Sequence, residues 1–117
     1  MIRALLAVLL LSHCTQKSEN ATPLSEGQIL VTNKGCVACH SLNGNPGVAP
    51  TFKGLFGRTE TFTDGTSAVA DEAYIKESIR SPAAKVVRPF SPVMPVVPLT
   101  DAELQTIVDF LKSLRGA

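Results

Sequence analysis

A chain of 117 residues, 44% hydrophobic and 18% charged, has room for one domain. Its formal net charge of +1 excludes the basic footprint that nucleic acid requires. With five Phe, one Tyr and no Trp, so small a core is marginal, and a buried prosthetic group would supply the missing apolar volume.

The chain opens with Met1-Ile2-Arg3, a short positive start, followed by an unbroken apolar run from Ala4 to Leu11. That run is too short to span a bilayer and matches the apolar region of a secretory signal. Ser12-His13-Cys14 then resembles the end of a bacterial lipoprotein signal, in which cleavage precedes the cysteine and Cys14 becomes lipidated. On this reading residues 1–13 are the signal peptide, 14–23 a flexible tether and 24–117 the folded domain. His13 stands where such signals carry a small residue, so a secretory peptide cut elsewhere, with Cys14 lost or left as a thiol, is the alternative. Thr15 to Pro23 is polar and aperiodic, as a tether would be. Loss of the leader removes Arg3 and no acid, and leaves His40 as the only histidine and Met94 as the only methionine.

Ser25 and Gln28 have capping-box spacing, and Leu24 and Ile29 the spacing of a hydrophobic staple. They predict a helix from Glu26 to about Lys34, with Leu30 and Val31 toward a core and Gly35 as its left-handed terminator. Thr59 to Thr66 alternates weakly around Asp64-Gly65, a hairpin signal. A second helix is predicted from Asp71 to about Arg80, with Tyr74, Ile75 and Ile79 on one side, ending before Pro82. Pro89, Pro92, Pro95 and Pro98 make the next stretch stiff and non-helical. The last helix is the clearest: Thr100 and Glu103 form a capping box, and Leu104, Ile107, Val108, Leu111 and Leu114 recur at helical spacing. Lys112 and Arg115 suit its C-terminal dipole, and Gly116 follows. Three short helices joined by long loops make sense if the loops wrap a prosthetic group.

Cys36-Val37-Ala38-Cys39-His40 is the Cys-x-x-Cys-His attachment signature of haem c. Two thiols form thioethers with the two vinyl groups, and the adjacent imidazole becomes the proximal iron ligand. A thioredoxin-like motif needs a preceding strand, which the sequence lacks. A zinc site needs a fourth ligand that the mature domain does not offer. A plain disulfide leaves His40 unexplained. The sixth ligand follows by elimination: electron-transfer haems use His or Met there, and Met94 is the sole candidate, in a loop stiffened by Pro92 and Pro95. A core or surface methionine is the competing reading for Met94.

From Leu24 to Leu114 the chain resembles class I, mono-haem cytochrome c, most specifically at Cys36–His40, at Pro50 to Arg58 (PTFKGLFGR) and at the Met94 loop. The resemblance implies an all-α cytochrome c fold, three or more short helices and long loops wrapped around one covalent haem. It implies that the Pro50 carbonyl accepts a hydrogen bond from His40, that Phe52 packs on the haem, and that Arg58 lies near a propionate. It also implies that the first and last helices cross, with Gly27 letting their backbones approach closely and Phe110 matching the aromatic of the last helix. The family's Trp at a propionate is missing, and Ala49 replaces a usual Gly. GCVACHS, PTFKGLFGRT, FTDGT, ADEAY and PVMP resemble, closer still, the cytochrome c domain fused to subunit II of caa-type cytochrome oxidases.

The expected function is therefore one-electron transfer in a respiratory chain, outside the cytoplasmic membrane, by a monomer held there through lipid on Cys14. The expected partners are redox proteins, a cytochrome oxidase or a quinol-oxidising complex. Lys34, Lys53, Lys76, Lys85 and Arg88 are candidates for a ring that steers an acidic partner. The alternatives are a haem subunit of a larger respiratory complex and a small haem peroxidase, which would want an open sixth position.

Overall fold

The computed structural model describes residues 24–116. The leader, the tether and Cys14 lie outside the described residues. Ser25 is extended and its hydroxyl accepts from the Gln28 N–H at 3.2 Å, which starts α1 (Glu26–Asn33). Among the described residues the return bond from the Gln28 side chain is missing, so this capping box is half made. Leu24 and Ile29 remain 55% and 46% exposed, so the staple shields little. The reason is the face that α1 buries: Gly27 and Val31, four residues apart, turn toward the last helix, and Ile29 lies off that stripe.

Gly35 follows at φ +80°, a left-handed conformation that costs glycine little. It turns the chain into a single 3-10 turn, Cys36–Ala38. Further on, β1 (Thr59–Thr61) and β2 (Ser67–Val69) pair antiparallel, Glu60 opposite Ala68. Asp64 Oδ1 makes the turn, accepting from the Thr66 N–H at 2.8 Å and its hydroxyl at 2.7 Å. A bridge between Phe62 and Val87, beside bonds from Thr63 N to Val86 O (2.8 Å) and Arg88 N to Thr61 O (2.9 Å), ties this hairpin to the loop after α2.

Asp71 is the cap of α2 rather than its first residue. Its carboxylate accepts from the Tyr74 N–H at 2.8 Å, and the helix runs Glu72–Arg80, stopping at Ser81 before Pro82. The last helix, α3 (Asp101–Ser113), has the full capping box: Thr100 accepts from Glu103 N at 3.1 Å, and Glu103 accepts from Thr100 N at 2.9 Å.

The core forms where α1 crosses α3. A Cβ on Gly27 would overlap Phe110 Cβ and stand 2.9 Å from its Cγ, so only glycine permits the approach. Val31, Ile107, Val108 and Leu111 fill the crossing, and Phe52, Phe62, Tyr74 and Ile75 extend it toward α2. Between α2 and α3, Glu72 accepts from Lys112 and Lys76, and these bonds, Lys112 first, hold its carboxyl down at about 2. Three helices and loops dominate the described residues, with the hairpin a minor addition.

Candidate haem site

The 3-10 turn presents two thiols and an imidazole within five residues. Cys36 is half-buried and Cys39 exposed, and both are free rather than joined as a disulfide. Burial pushes the Cys36 thiol above its ordinary range, opposed by a hydrogen bond from its own backbone. His40 Nδ1 lies 2.7 Å from the Pro50 carbonyl oxygen. A carbonyl can only accept, so Nδ1 carries the hydrogen and Nε2 keeps a free lone pair. Burial lowers the imidazole's pKa and so favours the neutral form that coordination needs, while the Pro50 carbonyl pulls the other way. Phe52 stacks on the imidazole, with ring centroids 4.3 Å apart and planes 12° from parallel. The ring is thus fixed by one hydrogen bond at its edge and one aromatic face.

These groups open on a cleft whose empty volume, its mouth included, is about 1300 Å³. Cys36, Cys39, His40, Pro50 and Phe52 line it. So do Tyr74, Ile75, Ser78 and Ile79 from α2, and the stretch from Pro92 to Pro95 that contains Met94. The structure thereby brings together six of the seven residues expected to contact the cofactor. Arg58 is the one it leaves out. Arg58 is not on the cleft wall: its Nε pairs with Glu60, and its Nη2 lies 3.5 Å from Thr51 O. Glu60 is only 6% exposed, and a carboxylate that deep requires a cation beside it.

A haem fits this cleft on three counts. The walls are apolar and span both halves of the chain. The thiols and the neutral imidazole are the donors that covalent attachment and iron coordination use. Ser78 Oγ, buried on that wall beside Tyr74, adds a polar contact point for a group held in the cleft. Among the described residues no group of three or more His, Cys, Asp and Glu side chains gathers that could hold a metal ion.

The cations around the cleft differ from the expected steering ring. Lys34 pairs with Glu103 at 3.0 Å, Lys85 with Glu77 at 2.6 Å and Lys76 with Glu72 at 2.8 Å. Arg88 Nη2 donates to Thr63 O at 3.3 Å, and Lys53 has no carboxylate partner among the described residues. Residues 24–116 hold nine Lys or Arg and nine Asp or Glu. Three of the five candidate steering cations, Lys34, Lys76 and Lys85, thus pair with acids of the chain itself.

Sequence reasoning missed Thr51, Ser41 and Ser78. Isolated hydroxyl residues carry no motif, and the one available signal was that Thr51 directly follows Pro50.

A small helical domain whose attachment turn opens on an apolar cleft defines a covalent haem carrier. The cytochrome c family profile matches residues 24–115, and the chain belongs to the cytochrome c family. Among solved structures it is similar to cytochrome cH from Methylobacterium extorquens, with 26% sequence identity over 74% of this chain and 94% of that one, at a TM-score of 0.55. No curated protein matches the chain. It is accordingly an electron-carrier haem protein with a covalently bound c-type haem, and not an enzyme. When bound, the haem supplies an iron that takes up and gives back one electron. The chain's own part is to tether it through Cys36 and Cys39, to orient His40, and to keep water from the apolar walls.

Proposed function

We propose that the chain is a free-standing, membrane-tethered carrier that passes single electrons to or within a respiratory chain, with a terminal oxidase as acceptor. His40 and Met94 would hold the iron, and Pro50 and Phe52 hold the His40 ring. The observation that carries this reading is the shared cleft: a neutral imidazole with Nε2 free and the Met94 thioether both lie on its walls. A neutral sulfur opposite an imidazole favours ferrous iron and raises the potential compared with two nitrogen ligands. Arg58, paired with Glu60 off the cleft wall, is left out of this set.

The oxidase assignment rests on the resemblance of GCVACHS, PTFKGLFGRT and PVMP to the oxidase-fused cytochrome c domain. Among the described residues no helix is long and apolar enough to cross a membrane. A lipid on Cys14 of the exported chain supplies the anchor, each buried methylene contributing about 0.8 kcal/mol. Mass spectrometry of the mature protein tests attachment and anchor together: the expected mass is that of residues 14–117 plus one haem and a diacylglyceryl group. A haem-free mass overturns the carrier. A start elsewhere than Cys14 overturns the anchor alone.

The paired lysines favour a second reading, a haem subunit seated permanently in a respiratory complex. A muted surface steers diffusional partners weakly. Oxidase reduction rates measured from low to high salt separate the two, because a free shuttle still dissociates at each turnover, while a subunit co-purifies with its complex.

A further inference from the structure

The Pro50 carbonyl fixes His40, yet proline has no N–H with which to anchor its own peptide. What holds that carbonyl in place therefore lies beside it. Thr51 is 8% exposed, and its hydroxyl is a junction. Its Oγ1 accepts from Gly44 N at 3.1 Å and from Lys53 N at 3.3 Å. It lies 2.8 Å from Ser41 Oγ and 3.1 Å from Ser41 O. The Ser41 hydroxyl lies 2.5 Å from the Asn45 carbonyl, which can only accept, so the Ser41 hydrogen goes there and the Thr51 hydroxyl donates its own to Ser41 O. With two lone pairs taken and one hydrogen given, the Thr51 hydroxyl is saturated.

The neighbouring bond from Phe52 N to Ser41 O, 2.8 Å, completes the stitch. Ser41 follows His40, and Thr51 follows Pro50. The stitch thus joins the residues next to each partner of the 2.7 Å His40–Pro50 bond.

We propose that Thr51 is a positioning residue for the proximal ligand: its saturated hydroxyl holds the Pro50 carbonyl against His40 Nδ1 and so sets how strongly His40 donates to the iron. The inference rests on the reading of His40 as that ligand. A hydrogen bond from Nδ1–H to a carbonyl pushes electron density onto the ring, which strengthens the ligand and stabilises ferric iron. Loosening the bond raises the reduction potential.

The test compares Thr51→Val, which keeps the shape and loses the hydroxyl, with Thr51→Ser, both as haem-loaded protein. In Thr51→Val the potential is expected to shift upward. The His40 Nδ1–H and the Gly44 and Lys53 amides are expected to exchange with solvent about five- to tenfold faster, as the loss of one net hydrogen bond requires. Thr51→Ser is expected to restore both. Where Thr51→Val does not accumulate with haem, Thr51→Ala removes the same hydroxyl without a branched side chain and carries the same expectations. An unchanged or lowered potential, with the Gly44 and Lys53 amides exchanging faster, overturns the inference alone. A wild-type chain without haem overturns the underlying reading as well.

Discussion

The two stretches that bring His40 and Met94, the proposed iron ligands, to the cleft are built in opposite ways. Around His40, residues 39–53 are bound to one another by backbone and side-chain hydrogen bonds: Ala49 N to Cys39 O, Phe52 N to Ser41 O, the Thr51 junction and the Pro50 carbonyl itself. Around Met94 the chain has almost none. Among the described residues, no backbone N–H from 94 to 99 donates to a backbone carbonyl, and Pro95 and Pro98 have no N–H to give. Prolines limit the unfolded chain as well as the folded one, so this stretch loses little entropy when it orders. Nothing but packing resists its displacement. Hydrogen bonds thus fix the imidazole, whereas Met94, 37% exposed, sits on a proline-stiffened stretch held only by packing. Under stress the sulfur should leave first.

The largest effect should come from the attachment turn. Replacing Cys36 and Cys39 with Ala is expected to abolish covalent haem and, because the cofactor binds only the native form, to lose most helical circular dichroism. Native helix content in that chain would show that both walls stand without the cofactor. Next, Met94→Ala should keep haem and fold while the potential falls and the absorption spectrum moves from six-coordinate to an open or water-filled position. An unaltered spectrum would remove Met94 from the iron.

Gly27→Ala strikes neither wall. It overpacks the helix crossing and should cost about 1–3 kcal/mol in denaturant titration, with the haem spectrum unchanged. Pro95→Ala frees the thioether's stretch in the unfolded state. It should cost about 0.4–1 kcal/mol and shift loss of the Met94 signal to lower denaturant, leaving the His40 side intact. The smallest effect concerns Glu72. Its folded pKa of about 2 lies below the ordinary 4.5, so its contribution is complete above 4.5 and disappears as pH falls from there toward 2. Glu72→Gln should flatten that part of the acid unfolding curve, and a steeper curve would refute the pairing.

Much of this was legible in the chain, for local reasons. The caps Ser25 and Thr100, the stop at Pro82, the Asp64 turn and the buried stripe of α3 each depend on residues a few positions apart. The attachment signature is equally local, since Cys36, Cys39 and His40 must share one turn. Illegible were contacts between distant segments. Val87 joining Phe62, the three-sided Thr51 hydroxyl and the buried Ser78 have no periodicity or spacing to announce them. Asp71 was misplaced by one position because an aspartate reads alike as cap or first residue.

Charge shows the division most plainly. The sequence determined that the domain would carry one haem on a fixed turn, because covalent attachment demands particular atoms at particular separations. It also determined how many cations the domain holds. Only the tertiary structure decided what those cations do: folding set Lys34 beside Glu103, Lys85 beside Glu77 and Arg58 beside Glu60. An ion pair depends on distance in space, and for Lys34 and Glu103 that distance exists only once α1 has packed against α3.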